Sequence, residues 1–99
     1  MARFDVFPNP DGNGFLLDVQ ANLLDGLNTR IVVPLLSIST APMPAKRLNP
    51  TFDIEAEPHV MVTQFMAAVP VAILKAPVAS LAGHDVEIGN ALDMLFVGF

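Results

Sequence analysis

The sequence predicts a single mostly-β (α+β) domain, in which an antiparallel β-sheet or small barrel is followed by one C-terminal α-helix. Two periodicities carry this prediction. Short runs in which apolar and polar residues alternate recur up to residue 74, separated by turns rich in Pro, Gly and Asn. Over residues 85–96 the apolar residues recur at helical spacing instead. A chain of 99 residues fits one domain, which we place at residues 1–99.

The strand patterns occupy most of the chain. We predict strands at residues 3–7, 15–20, 30–38, 51–55, 59–63 and 69–74. The turn-forming residues 8–14 would join the first two strands as a hairpin. Pro34 lies inside the third strand and has no N–H to donate, so we expect a sheet edge or a bulge there. Residues 39–50 contain three prolines and are predicted to be the longest loop.

The helix is predicted at residues 85–96. Its apolar face would consist of Ile88, Ala91, Leu92 and Leu95. Asp85 is a candidate N-cap, because its carboxylate can accept hydrogen bonds from the free N–H groups of the first turn. Gly98 lies just beyond the helix, where a residue in the left-handed conformation often ends it.

The chain is very apolar for its size, with 53% hydrophobic residues and a mean hydropathy of +0.53. A small domain buries only about two-thirds of its surface, so we expect a subunit interface in a homo-oligomer. The densest apolar stretch, residues 65–74, contains Pro70 and is shorter than the ~20 residues of a membrane span. Without such a span or a signal-peptide pattern, we expect a cytoplasmic protein that does not contact membranes.

Charge and residue usage argue against several kinds of chemistry. The net charge is −5 with only five basic residues, which offers little for direct nucleic-acid binding. The absence of cysteine excludes disulfides and thiolate metal sites. His59 and His84 are interpreted as surface histidines without a chemical role, since no further histidine accompanies them. No catalytic constellation is recognisable, and we expect no metal site and no cofactor.

Several short segments occur in a distinctive order along the chain. They are Asp18-Val19-Gln20 and Leu23-Leu24-Asp25 around the end of the second strand, Arg30-Ile31-Val32-Val33-Pro34-Leu35 in the third, Ala68-Val69-Pro70-Val71 near the last strand, and Leu95-Phe96-Val97-Gly98-Phe99 at the end of the helix. No single segment is specific, but the collinear set and the overall length resemble the CcdB family of toxins from end to end.

The resemblance implies both a fold and a function. CcdB toxins have an SH3-like antiparallel sheet with a C-terminal helix and form twofold homodimers. They bind the A subunit of DNA gyrase, trap its cleaved-DNA complex and so poison this topoisomerase. A cognate, CcdA-like antitoxin neutralises them in a type II toxin–antitoxin system. The toxin itself performs no chemistry, so the resemblance implies that this chain is not an enzyme.

The resemblance also implies a gyrase-binding surface. Its candidate residues are an apolar pair after the second strand, Leu23 and Leu24, and a C-terminal set, Asp93, Phe96, Val97, Gly98 and Phe99. A dimer axis would bring two copies together as one apolar patch, and exposed apolar patches usually mark interaction sites. The antitoxin-binding residues are not assigned, although the loops at residues 8–14 and 39–50 are candidates.

Two alternatives remain open. Toxins of the MazF type share a related fold and cleave mRNA, and Arg3, Arg30, Lys46 and Arg47 would be the phosphate-binding cations of such a ribonuclease. Alternatively, the chain is a CcdB homologue that has lost gyrase poisoning. Val97 stands where the family motif carries tryptophan, and Asp93 stands where the family tends to carry asparagine. Tryptophan offers a large area and a π face to a partner, whereas valine offers neither.

Overall fold

The computed structural model describes residues 2–99, which form seven β-strands, four 3₁₀ turns and one α-helix. The strands are β1 (Asp5–Pro8), β2 (Phe15–Asp18), β3 (Thr29–Ser37), β4 (Thr51–Ile54), β5 (Glu57–Met61), β6 (Ala67–Pro70) and β7 (Ala79–Ser80). The helix is α1 (Asp85–Phe96), and the 3₁₀ turns are Asn22–Leu24, Thr63–Phe65, Val71–Ile73 and Ala82–His84. This confirms the predicted mostly-β architecture with a C-terminal helix.

All strand pairings between the described residues are antiparallel. The strands follow the order β4-β5-β3-β2-β1-β7, and β6 pairs with β3 beside this path. The long strand β3 pairs along one side with β2, and on the other side with β6 and then β5. The sheet curls into a nearly closed barrel of the SH3-like kind, as expected, and β1 and β2 form the predicted hairpin.

Side chains alternate between two buried layers, because successive residues of a strand point to opposite faces. The main core lies inside the barrel and contains Phe4, Val6, Leu17, Val19, Val33, Leu35, Phe52, Ile54, Met61 and Leu81 together with Ile88 and Ala91 of the helix. A smaller cluster on the other face contains Phe7, Leu16, Val32 and Leu74. The helix therefore covers the main core, while the segment after β6 covers the second layer.

Pro34 lies in a central strand, so the expected sheet edge or bulge is wrong. Pro34 lies opposite Leu16 of β2. Its carbonyl accepts a hydrogen bond from the Val62 N–H at 3.0 Å. In an antiparallel strand the nitrogen and carbonyl of one residue face the same side. The proline nitrogen therefore faces the place where β3 changes partner from β6 to β5, and no bond to β2 is lost.

The strand predicted at residues 69–74 is also wrong in part. The observed strand in this region is β6, which ends at Pro70. Val71–Ile73 then form a 3₁₀ turn. The Val71 N–H donates to the Asn28 carbonyl at 2.9 Å, and the turn places Leu74 in the second buried layer. When nearly every residue of a segment is apolar, the pattern does not alternate, so it cannot distinguish a strand from a partly buried 3₁₀ turn.

The helix has the predicted bounds but not the predicted cap. The preceding 3₁₀ turn leads directly into it, so Asp85 already has helical dihedral angles and His84 is the N-cap. No side chain makes a capping hydrogen bond there. Leu95 is exposed rather than buried. Gly98 has a φ of +91°, which confirms the predicted left-handed end.

His59 is buried, with 6% of its surface exposed, contrary to the surface position predicted for it. Its ring packs edge-on against Phe15 with centroids 5.1 Å apart, and Nδ1 lies 2.9 Å from the Glu57 carbonyl oxygen. His84 is exposed as predicted, and its Nδ1 lies 3.2 Å from the Glu87 carboxylate. Within residues 2–99, no helix has the length and hydropathy that crossing a membrane requires.

Candidate partner-binding surface

The predicted apolar pair lies on an exposed 3₁₀ turn, Asn22–Leu24, between β2 and β3. Leu23 is 94% exposed and Leu24 is half-exposed. The turn is therefore not a buried corner of the sheet. A leucine with almost its whole surface in water contributes nothing to packing within the chain, and such residues commonly belong to interaction sites when they cluster.

A buried glutamine ties this turn to the sheet. The Gln20 side-chain Nε2 donates to the carbonyls of Leu24 and Thr29, both at 3.1 Å. Its Oε1 accepts from the Ile31 N–H at 3.0 Å. One side-chain amide therefore ties the end of the 3₁₀ turn to the start of β3.

A buried ion pair provides the second tie. The Arg30 guanidinium donates through Nε and Nη2 to the Asp18 carboxylate, and both side chains are almost fully buried. Its Nη1 donates to the exposed Asp25 carboxylate at 3.2 Å. Asp18 also accepts from the Gln20 N–H at 3.0 Å. The network therefore runs from the buried sheet to the residue directly after Leu24.

The C-terminal candidates are exposed where the helix ends. Phe96 is 69% exposed, Phe99 is 75% exposed, and Val97 is also exposed. The N–H groups of Val97 and Gly98 both donate to the Asp93 carbonyl, at 2.7 and 3.1 Å. Together with the positive φ of Gly98, these bonds fix the direction of the tail. Asp93 itself is exposed on the helix.

An apolar groove of about 340 Å³ brings the two candidate segments together. Leu24 lines it from the 3₁₀ turn and Phe96 lines it from the helix. The other lining residues are Val19, Gln20, Ala21, Ile31, Met66 and Leu92. Leu23, Asp93, Val97, Gly98 and Phe99 do not line the groove. Ile31 and Met66 could not be named as site residues from the sequence, because each lies in an apolar run whose pattern is that of any core segment.

A second, smaller groove of about 240 Å³ involves the loop between β1 and β2. Asn9, Pro10 and Asp11 line it from that loop, and Phe65, Val69 and Ile73 are among the residues that line it from the rest of the chain. Of the two loops considered for antitoxin binding, residues 8–14 reach this groove and residues 39–50 do not.

The basic residues considered for a ribonuclease are partly committed to structural contacts. Arg30 is buried against Asp18. The Arg3 side chain donates from Nε to the Val19 carbonyl at 3.1 Å and packs over the Phe4 ring. Only Lys46 and Arg47 of the set are exposed, on the long loop. Among residues 2–99, no three His, Asp or Glu side chains converge as a metal site.

Comparison with protein families adds one decisive observation. A family model described as CcdB protein matches residues 3–98. The chain belongs to the CcdB family. The match confirms the resemblance seen in the sequence, and it covers every candidate residue except Phe99. CcdB proteins are toxins of toxin–antitoxin modules rather than classical enzymes, which places this chain among such toxins.

Proposed function

We propose that this CcdB-family chain binds the A subunit of DNA gyrase and traps its cleavage complex. It acts as the toxin of a type II module, in the cytoplasm, by binding and without chemistry of its own. A cognate CcdA-like antitoxin neutralises it. The observation that carries the proposal is the apolar groove between Leu24 and Phe96, which joins the two segments that the resemblance to CcdB toxins implies for gyrase binding.

The exposed apolar side chains around this groove support a binding role. Leu23, Phe96 and Phe99 expose most of their surface and lie on the two candidate segments. Full burial of one such side chain in a complex contributes about 1.5–3 kcal/mol. A few of these contacts provide substantial affinity without any catalytic group.

A twofold homodimer is part of the proposal. The chain keeps many large apolar side chains in water although it has only 99 residues. A twofold axis makes the same patch self-complementary and presents two copies of the binding segments.

Val97 decides how strong the poisoning is. Its side chain is exposed at the end of α1, so a partner can reach it. Valine nevertheless offers a small area and no π face for a cationic side chain. Asp93 adds a negative charge nearby and cannot donate a hydrogen bond. These two residues favour weak poisoning, and in the extreme case its loss.

The test is a gyrase cleavage assay with supercoiled DNA, ATP and purified protein. Val97→Trp is expected to lower the concentration that traps cleaved DNA by about tenfold or more, since an interface tryptophan is commonly worth ~2 kcal/mol. Phe96→Ala is expected to raise that concentration by about tenfold or more, because it removes an aromatic side chain from the proposed interface. Linear DNA after detergent and protease treatment is the readout.

Val86→Trp is the matched control. Val86 is 70% exposed, against 58% for Val97, and lies in the first turn of the same helix. The same aromatic group there should not change the trapping of DNA. If neither the native chain nor Val97→Trp traps DNA while both are folded, the gyrase proposal is wrong. RNA cleavage by the native protein would instead favour the ribonuclease alternative.

A further inference from the structure

We propose that Asp25, Arg30 and Gln20 are positioning residues, which hold the Leu23–Leu24 turn in the shape that its partner binds. The identity of that partner rests on the proposed function. The order of the turn does not depend on the proposed function, because it is a property of the free chain.

Apolar packing holds this loop only weakly. Every residue from 21 to 29 is exposed, and no side chain of the 3₁₀ turn Asn22–Leu24 is buried. Loops with few buried apolar contacts are the first parts of a protein to lose order. Something other than the hydrophobic core must therefore restrict residues 21–28.

Backbone bonds supply part of the restriction, since the Leu24, Asp25 and Leu27 N–H groups donate within the loop and the Val71 N–H donates to the Asn28 carbonyl. Polar side chains add anchors at three points. The Arg3 N–H donates to the Asn22 side chain at 2.8 Å, at the start of the loop. Gln20 holds the Leu24 carbonyl and the Thr29 carbonyl. Arg30 holds the Asp25 carboxylate. The two leucines lie between these points, so their direction is set from both sides.

The Arg30–Asp25 contact differs from an ordinary surface ion pair. An exposed pair stabilises little, since both long side chains must be ordered to form it. Here the guanidinium is already buried and fixed by two bonds to Asp18. Only the Asp25 side chain loses freedom when the contact forms, because the Arg30 guanidinium is already held in place.

A prearranged turn lowers the cost of binding, because the partner does not have to order it. Asp25→Ala removes the acceptor from an exposed position and should leave the fold intact. Asp25→Asn keeps an oxygen that can accept from Arg30 and should preserve most of the effect. Asp53→Ala is the control, since Asp53 is exposed in β4 and makes no contact with the turn.

The first experiment measures backbone order parameters of the free, full-length variants by NMR relaxation, with melting temperature as the fold control. In Asp25→Ala the order parameters of residues 21–28 should fall from about 0.85 toward 0.6 or below. Asp25→Asn and Asp53→Ala should keep the native values, and all three should melt within a few degrees of the native chain. Unchanged order in Asp25→Ala would overturn the proposal.

The second experiment measures binding of the same variants to the purified gyrase A subunit. Asp25→Ala is expected to bind about tenfold more weakly, with Asp25→Asn close to native. If Asp25→Ala loses order in the turn but keeps its affinity for gyrase A, the positioning role is wrong. If it loses affinity while the turn stays ordered, the role is also wrong, because Asp25 would then contact the partner directly. If the native chain binds no gyrase, the proposed function fails, while the order parameters still decide whether the anchors hold the turn.

Discussion

Two glycines in the loop between β1 and β2 share a backbone conformation but differ in their surroundings. Gly12 has a φ of +86° and Gly14 a φ of +70°, a region that other residues rarely adopt. A Cβ on Gly12 would meet nothing, whereas a Cβ on Gly14 would collide with the backbone carbonyl of Leu35 in β3. Gly14 is therefore required both for its conformation and for the close approach of two backbones.

This difference predicts unequal effects of alanine at the two positions. Gly12→Ala is expected to lower the free energy of unfolding by about 1 kcal/mol, the usual cost of the left-handed conformation. Gly14→Ala is expected to lower it by roughly 3 kcal/mol or more, because the strand must also shift. Urea unfolding followed by circular dichroism measures both, and equal losses would contradict the predicted collision.

The hairpin of β4 and β5 is held by its strands against an unfavourable turn. Its two connecting residues, Glu55 and Ala56, have φ values of +53° and +66°. Two-residue hairpin turns with positive φ at both positions strongly favour Asn-Gly. Phe52 and Ile54 are buried in the main core, as predicted, and their packing compensates for the turn.

Ala56→Gly is accordingly expected to stabilise the protein. Glycine removes the left-handed penalty of about 1–2 kcal/mol at this position, less about 0.5–1 kcal/mol for its greater freedom in the unfolded chain. The same urea experiment would show a higher midpoint. Ala76→Gly serves as the control, because Ala76 is exposed and does not have positive φ. A gain at both positions, or at neither, would refute this explanation.

Among residues 2–99, twelve large apolar side chains are exposed to water. The exposed large apolar residues are Leu23, Leu24, Leu27, Ile38, Met43, Phe65, Val78, Val86, Leu95, Phe96, Val97 and Phe99. They lie in the loops, at the helix ends and at the tail. Leu27, Ile38, Met43, Phe65, Val78, Val86 and Leu95 of this set lie outside the candidate gyrase-binding residues. Apolar residues that a small domain does not bury within itself are commonly buried between subunits.

This surface predicts a dimer in solution, as the proposed function requires. Sedimentation equilibrium at micromolar concentration should give twice the 10.6 kDa mass of the chain. Since the interface of an obligate dimer is large and apolar, the mass should remain doubled on dilution to the lowest measurable concentration. A single-chain mass throughout this range would contradict the homodimer.

Local pattern in the sequence by itself determined much of this protein. Alternation of Phe15, Leu17 and Val19 placed one face of the second predicted strand in the core, and the helical spacing over residues 85–96 predicted α1. These properties depend on neighbours a few residues away, which the sequence shows directly. The ordered set of family segments likewise pointed to the CcdB membership that the family match confirmed.

Long-range pairing decided the rest. It placed Pro34 in a central strand where β3 changes partner, and it buried His59 and Arg30, two polar residues whose burial no local pattern indicated. It also joined Leu24 and Phe96, which are far apart in the chain, in one groove. The physical reason is that burial and contact between distant segments depend on strand order and curvature, whereas the period of a side-chain pattern depends only on the local backbone.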